Sequence, residues 1–281
     1  MTVSTFPSSP IIRWYGGAFE RAPWTVSFFP AHKSYYEPFI GAGSVLGHKS
    51  PCQFETVTDT NGRLVNLLAV IRERAEELAE RIALTPWAEA EWERGMETAA
   101  DSLEDARRFW FVCWSSIRGG PPEPSNSFTW NSKPESRYTS HSASAKRHDL
   151  LRWAKRLEHV QILHRSAFDV LPLFLKADAL IYADPPYLKE TRTRKDGYGT
   201  HEFTEEDHRQ LSRLLRRHSG CAIVAGYKSD LYAELYEDYG WQRKDKDFQA
   251  NSGATRTESL WLNRETVHRL AADRLPLFPT I

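Results

Sequence analysis

The chain has 281 residues with 37 basic and 37 acidic side chains, so its formal net charge is zero. Hydrophobic residues make up 41% and charged residues 26%, which is ordinary for a folded globular protein. No run of about 18 apolar residues occurs and residues 1–10 lack a signal-peptide pattern, so we expect a cytoplasmic protein without a transmembrane helix. Three cysteines are scattered singly, which argues against a disulfide framework and a zinc knuckle and predicts no metal centre.

Charge is unevenly distributed along this neutral chain. Residues 72–105 hold four Lys or Arg against eleven Asp or Glu, whereas residues 133–165 hold eight Lys or Arg against three acids. Such asymmetry is expected of a neutral protein with one face for nucleic acid, although a solvated helix face gives the same pattern. A DNA partner therefore needs support from motifs elsewhere in the chain.

Residues 1–84 predict a strand, a glycine loop, a second strand and a helix. The first strand leads into Gly41 and Gly43, which lack a β-carbon and allow a ligand close to the backbone. The second strand, residues 54–58, ends at Asp59, where an acid can accept both hydroxyls of a ribose. This order is typical of the opening of a Rossmann-like nucleotide-binding fold.

Residues 85–158 interrupt the alternation of strands and helices. A tryptophan-rich helical segment comes first, followed by a polar stretch over residues 125–144 and a basic helix around residues 146–157. The polar stretch has few apolar residues, which favours a loop or hairpin that orders on binding. We interpret 85–158 as an inserted, mainly helical target-recognition domain, and 1–84 together with 159–281 as the catalytic core.

The strand and helix alternation resumes after this insertion. Thr204, with Asp207 three residues later, predicts a capping-box-like start of a helix. Strands are predicted at residues 160–163, 180–183, 222–225 and 259–262, and further helices at residues 168–175 and 230–239.

The most informative motif follows the apolar run 180–183 and reads Asp184, Pro185, Pro186, Tyr187. Proline has no N–H for a sheet ladder, so the strand must stop at the acid. In an open α/β sheet, ligands bind beyond the carboxyl ends of the strands. An acid, free proline carbonyls and an aromatic face at that edge indicate a site for a planar amine.

This Asp-Pro-Pro-Tyr sequence resembles the signature of Dam-type DNA adenine N6-methyltransferases. Residues 13–17 are similar to the entry motif of that family, residues 36–44 to its Phe-x-Gly-x-Gly loop, and residues 59–66 to its acidic turn. Residues 257–263 resemble phage and prophage members. The resemblance spans residues 11–263 and implies a Rossmann-like, S-adenosylmethionine-dependent methyltransferase core with an inserted recognition domain.

The resemblance implies S-adenosyl-L-methionine, rather than NAD, as the cofactor. The implied contacts come from the entry motif, the glycine loop, the acidic turn, the start of the helix predicted at 168–175, and the motif acid. They are Trp14, Tyr15, Gly16, Gly17, Phe39, Gly41, Gly43, Asp59, Asn61, Ser166, Ala167, Phe168 and Asp184. Trp14 and Phe39 also suit a plain core role.

The same resemblance implies methyl transfer to N6 of an adenine flipped out of the duplex, with Asp184, Pro185, Pro186 and Tyr187 as the catalytic residues. Asp184 and the Pro185 carbonyl would accept the two amine hydrogens, and Tyr187 would stack on the base. The amine is itself the nucleophile, so no covalent enzyme intermediate is implied.

Double-stranded DNA is the partner that this family implies. Basic residues in the insertion and after the motif are candidates for phosphate and base contacts. They are Arg118, Arg137, Lys146, Arg147, Lys189, Arg192, Arg194 and Lys195, with Arg152, Lys155 and Arg156 on the same basic helix. Trp130 and Tyr138 are candidates for wedging or stacking, and a packing role fits them equally well.

Two positions depart from the family pattern. Ala18 stands where the family usually has lysine, and Ser166 where many members have an acid, a contact that Asp169 can replace. Three alternatives stay open: methylation of adenine in RNA, methylation of the cytosine amine in DNA, and a catalytically silent DNA-binding relative. These residues indicate neither the recognition sequence nor the oligomeric state. They also do not indicate a role in restriction–modification.

Overall fold

The computed structural model describes residues 6–14, 16–17, 19–117, 119–130, 140–192, 201–249 and 255–272, and of residues 140–148 it describes the backbone alone. The chain divides into two compact units. The first unit consists of Met1–Ala22, Ile40–Ser50 and Asp59–His164, and the second of Pro23–Phe39, Pro51–Thr58 and Arg165–Ile281. None of the described helices is long and apolar enough to cross a lipid bilayer.

Seven strands and ten α-helices occur in the described part of the chain. In chain order the strands are β1 (Ser34–Glu37), β2 (Phe54–Asp59), β3 (Val160–His164), β4 (Ala179–Ala183), β5 (Cys221–Gly226), β6 (Gln242–Gln249) and β7 (Thr255–Leu262). The helices are α1 (Ala22–Val26), α2 (Ser44–His48), α3 (Gly62–Leu84), α4 (Glu89–Met96), α5 (Ser102–Ser115), α6 (Ser140–Leu157), α7 (Ala167–Val170), α8 (Glu205–Arg216), α9 (Asp230–Leu235) and α10 (Arg264–Ala272).

Six of the strands lie side by side in the second unit, in the order β2-β1-β4-β5-β7-β6. β1 is parallel to β2 and β4, β4 is parallel to β5, and β7 is antiparallel to β5 and β6. Every residue of β4 and β5 is buried, as expected for parallel strands that are covered on both faces. This is a Rossmann-like α/β arrangement, and the predicted strands are confirmed.

Strand β6 is absent from the sequence predictions. It contains one apolar residue, Phe248, and none of its residues is buried. It lies at the end of the strand order and pairs along its whole length with β7. Charged residues on an edge strand discourage pairing with another chain. An exposed, charged strand of this kind carries no hydrophobic pattern by which it could be predicted.

Helices dominate the first unit. The apolar face of α3 is buried, as its helical spacing indicates, and α3 packs against both α5 and α6. Helix α4 packs against α5. The predicted insertion, residues 85–158, supplies α4, α5 and α6, which share the first unit with α3 and the glycine loop. The recognition role of this segment stays a prediction.

Helix α8 begins where the sequence predicts it. Thr204 and Asp207 form a capping box, in which the Thr204 hydroxyl accepts from the Asp207 N–H and the Asp207 carboxylate accepts from the Thr204 N–H. In the same turn His208 is fully buried, with Nδ1 3.2 Å from the Tyr232 hydroxyl. Burial lowers the pKa of His208 to about 4, although the Asp207 charge and the Pro186 carbonyl favour the protonated ring.

Acid should destabilise the fold through His208. The ordinary pKa of histidine is 6.5 and the folded-state pKa is about 4, so as the pH falls the unfolded chain binds the proton first. The neutral ring contributes its full stabilisation at pH values above the ordinary pKa. As the pH falls from the ordinary pKa to the folded-state pKa, up to about 3 kcal/mol of this stabilisation is lost. The free energy of unfolding in urea should therefore fall more steeply with acid for the wild type than for His208→Gln. Parallel pH curves would contradict this expectation.

Candidate active site

The motif residues follow directly on the carboxyl end of β4. This strand lies between β1 and β5, and its last residue, Ala183, pairs with Val224 of β5. Asp184 comes next and is half-buried, Pro185 is buried, and Pro186 is half-buried. The prolines cannot extend the ladder, so Asp184 stands at the carboxyl edge of the parallel strands, as the sequence predicts.

Tyr187, the aromatic residue of the motif, is held by two contacts. Its hydroxyl donates to Oε2 of Glu258, a buried carboxylate on β7, at 3.1 Å. Its ring meets the ring of Tyr227 edge-on, with 4.8 Å between centroids. Because Tyr187 is 6% exposed, these contacts fix the orientation of its ring. Glu258 and Tyr227 were not predicted as partners of Tyr187, since a single sequence contains no signal that pairs residues 71 positions apart.

The glycine loop in the first unit forms a tight turn before α2. Gly41 and Gly43 have φ values of 46° and 69°, in the left-handed region that favours glycine. The Gly43 N–H donates to the Ile40 carbonyl at 2.9 Å. Trp14 lies against Gly41, where a β-carbon would be 3.1 Å from the indole Nε1, and the Trp14 carbonyl accepts from the Gly17 N–H at 3.0 Å. The entry motif and the glycine loop are therefore brought together.

Asp59 lies beside this turn. Its Oδ2 accepts a hydrogen bond from the Gly41 N–H at 3.2 Å, and its Oδ1 accepts one from the Asn61 N–H at 2.9 Å. A carboxylate can accept about four hydrogen bonds, and these two fix the orientation of the Asp59 carboxylate. The Asn61 side chain accepts from the Leu64 N–H at 3.1 Å as the N-cap of α3. Asn61 thus shapes the acidic turn, and its contact with a cofactor stays a prediction.

Phe39 and Phe168, two predicted cofactor residues, meet in the second unit through Phe203. The Phe203 ring stacks on Phe168 with 5.7 Å between centroids and meets Phe39 edge-on at 5.4 Å. The Ser166 hydroxyl caps α7 by accepting from the Phe168 N–H at 3.2 Å, and Ala167 is buried. Phe203 was not among the predicted cofactor residues, although a hydrophobic residue just before a helix N-cap is a known packing signal.

Two basic residues do not fit the prediction of DNA contacts. The Arg192 side chain is 2% exposed and donates to both carboxylate oxygens of Glu202, at 3.1 and 2.6 Å. Arg156 is buried and donates through Nε to the Leu46 carbonyl at 2.9 Å. A phosphate contact would require either side chain to leave these partners, so we reassign both to internal packing. Lys189 is exposed and stays a candidate.

Part of the predicted site lies outside the described residues. This applies to Tyr15, Ala18, Arg118, Arg137, Tyr138, Arg194 and Lys195. It applies also to the side chains of Lys146 and Arg147, whose backbone belongs to α6. Gly16 and Trp130 are described, and both are exposed.

This chain resembles a known protein family and several known proteins. Residues 14–249 match the family described as D12 class N6 adenine-specific DNA methyltransferase. The Type II methyltransferase M.MjaIII of Methanocaldococcus jannaschii is 21% identical over 267 residues, covering 82% of this chain and 88% of that protein. The crystal structure of precorrin 8w decarboxylase from Methanobacterium thermoautotrophicum covers 93% of this chain and 97% of its own, with 10% identity and a TM-score of 0.40.

The family match begins at Trp14 and ends in β6, so it spans well over half of the chain. It includes the glycine turn, the Asp59 carboxylate and the Asp-Pro-Pro-Tyr motif. The protein is an adenine-specific DNA methyltransferase, and the chain belongs to the D12 class N6 adenine-specific DNA methyltransferase family.

Proposed function

We propose that the protein transfers a methyl group from S-adenosyl-L-methionine to N6 of an adenine flipped out of double-stranded DNA. The observation that carries this proposal is the position of Asp184, Pro185, Pro186 and Tyr187 at the carboxyl end of β4. This is the edge at which open α/β sheets bind their ligands. The adenine-specific family supports N6 as the acceptor.

The first unit supports S-adenosyl-L-methionine as the methyl donor. Two backbone N–H groups orient the Asp59 carboxylate beside Gly41, and an acid in this place suits the two hydroxyls of a ribose. Gly43 continues the turn without a side chain, and Trp14 offers an apolar wall. These residues fit an adenosyl group, and they are the candidates for holding it in this unit.

In the second unit the candidate cofactor contacts are Phe39, the segment 166–168 and Asp184. The cluster of Phe39, Phe168 and Phe203 offers aromatic surface suited to a purine ring. When bound, S-adenosyl-L-methionine supplies an electrophilic methyl group on a sulfonium. The remaining chemistry falls to side chains and carbonyls of the protein.

Asp184 and Pro185 would make the adenine amine reactive. The lone pair of this amine is conjugated with the purine ring, which makes the nitrogen a poor nucleophile. If the Asp184 carboxylate and the Pro185 carbonyl each accept one amine hydrogen, the nitrogen is drawn towards tetrahedral geometry and its developing positive charge is offset. The Pro185 carbonyl suits this task because its own ring fixes φ and the following Pro186 restricts ψ, the torsion that sets the direction of the carbonyl.

Tyr187 would support the flipped base. Flipping costs a few kcal/mol of stacking and pairing, part of which an aromatic contact restores. The Tyr187 ring is already fixed by Glu258 and Tyr227, so binding the base would cost it little conformational freedom.

Target recognition is assigned to residues 85–158 and to the segment after the motif. Lys189 follows the motif and is exposed, and Trp130 is 76% exposed within the insertion. Lys146 and Arg147 lie in the first half of α6 and stay candidates for phosphate contacts. In a chain of zero net charge, DNA affinity must come from such local groups.

Replacing Asp184 by alanine should reduce methyl transfer by at least about 10²–10³-fold, because one acceptor of an amine hydrogen is lost. Binding of S-adenosylhomocysteine should be weaker but still detectable. The measurement is incubation with labelled S-adenosylmethionine and unmodified duplex DNA, followed by identification of the labelled nucleoside as N6-methyladenine.

The control for this experiment is Asp238→Asn, which alters an exposed acid outside the motif and should leave activity unchanged. Near-normal activity of Asp184→Ala would refute the assignment of Asp184. Parallel incubations with RNA and single-stranded DNA test the substrate. Label in RNA or in cytosine would contradict adenine in duplex DNA, and binding of DNA without any label would indicate a silent relative.

Breaking the bond between Tyr187 and Glu258 should lower kcat by about 10-fold, because the ring loses its fixed orientation. Tyr187→Phe and Glu258→Leu each remove this bond, so the double variant should be no slower than either single one. Glu258→Gln keeps an acceptor and should retain most activity. Tyr239→Phe, at an exposed tyrosine, is the control. Additive losses in the double variant would show that the two residues act separately.

A further inference from the structure

Trp153 of α6 lies against the glycine turn. Its side chain is fully buried, and its Nε1 donates to the Ser9 carbonyl at 2.9 Å. Its six-membered ring faces two glycines: a β-carbon on Gly43 would lie 3.1 Å from Cη2, and one on Gly47 would lie 2.6 Å from the same atom. The second distance is shorter than real β-carbons allow, so position 47 admits only glycine while Trp153 keeps its place.

Arg156, one turn further along α6, contacts helix α2, which follows the glycine turn. Its Nε donates to the carbonyl of Leu46 at 2.9 Å, and the side chain is buried. Leu46 lies in the last turn of α2, where carbonyls have no partner within the helix. The guanidinium therefore supplies a donor that this short helix lacks, and its positive charge suits the carboxyl end of a helix.

A third contact ties α6 to the chain that precedes the entry motif. Asp149 is buried and accepts hydrogen bonds from the Ser8 N–H and hydroxyl and from the Ser9 hydroxyl, the last at 2.6 Å. Ile11, two residues later, donates to the Ala42 carbonyl of the glycine turn. The second half of α6 thus holds the turn directly and also through this amino-terminal segment.

We propose that Trp153 and Arg156 are positioning residues that hold the glycine turn in its cofactor-binding conformation; this inference depends on the proposed use of S-adenosyl-L-methionine. Asp59 and Trp14 contact the turn at Gly41, whereas Trp153 contacts it at Gly43. The turn contains two left-handed residues, and holding such a backbone in place before the ligand arrives reduces the ordering cost of binding.

A double-mutant cycle at Gly47 and Trp153 tests this proposal. Gly47→Ala adds a methyl group that meets the tryptophan ring, and Trp153→Phe removes the distal ring atoms that it would meet. Each single variant should weaken S-adenosylhomocysteine binding, measured by calorimetry without DNA, by about 10-fold. The double variant should bind more tightly than Trp153→Phe alone, because the added methyl group occupies part of the vacated space, while the bond to the Ser9 carbonyl stays lost.

Two matched controls separate positioning from general stability. Trp110→Phe removes the same atoms from another buried tryptophan of the first unit, and should lower the Tm without changing the Kd for S-adenosylhomocysteine. Arg156→Met should weaken this binding, whereas Lys155→Met, at an exposed neighbour, should not. In activity assays, Trp153→Phe and Arg156→Met should raise the KM for S-adenosylmethionine more than they lower kcat.

Additive changes in Kd across the cycle, or an unchanged Kd in Trp153→Phe, would overturn the proposal while leaving the proposed function intact. If Gly47→Ala does not fold, the comparison of Arg156→Met with Lys155→Met decides, and equal Kd values would overturn it. Failure of the folded wild type to bind S-adenosylhomocysteine would instead refute the proposed cofactor.

Discussion

The end of β4 is the constraint on which the candidate active site depends. β4 pairs with β1 on one side and with β5 on the other, and all its residues are buried. Proline at two successive positions leaves no N–H for either neighbour, so the ladder cannot extend past Asp184. Asp184 therefore lies at the carboxyl edge of the sheet, where it is half-buried. A residue other than proline at these two positions could donate its N–H to a neighbouring strand. The backbone next to Asp184 would then be paired in the sheet and could not contact a substrate.

Elements distant in sequence fix the residues that follow. Tyr187 is held from β7 by Glu258. Arg192 is paired with Glu202 in the same unit. Each of these contacts restrains a side chain before any ligand is present. Preorganised groups of this kind stabilise developing charge without a reorganisation cost at the moment of reaction.

The features predicted correctly from the sequence are those that depend on neighbouring residues. The apolar run and prolines located β4 and Asp184, and the Thr204 capping box located the start of α8. Long-range partners such as Glu258 carry no local signal, and the charge of Arg156 does not reveal that it is buried. The strand β6 was missed because its stability comes from pairing with β7 and not from apolar residues. Helix periodicity and strand composition therefore predicted elements of the fold, whereas charge alone did not reveal that Arg156 and Arg192 are buried.

The contact between Gly47 and Trp153 has a consequence for reading related sequences. A β-carbon at position 47 and an indole at position 153 exclude each other sterically, so the two positions must change together during divergence. A relative with alanine or serine at the first position should carry a smaller side chain at the second. In an alignment, relatives that keep both Gly47 and Trp153 would be those in which α6 supports the glycine turn in this way. Relatives in which both positions differ would lack this contact.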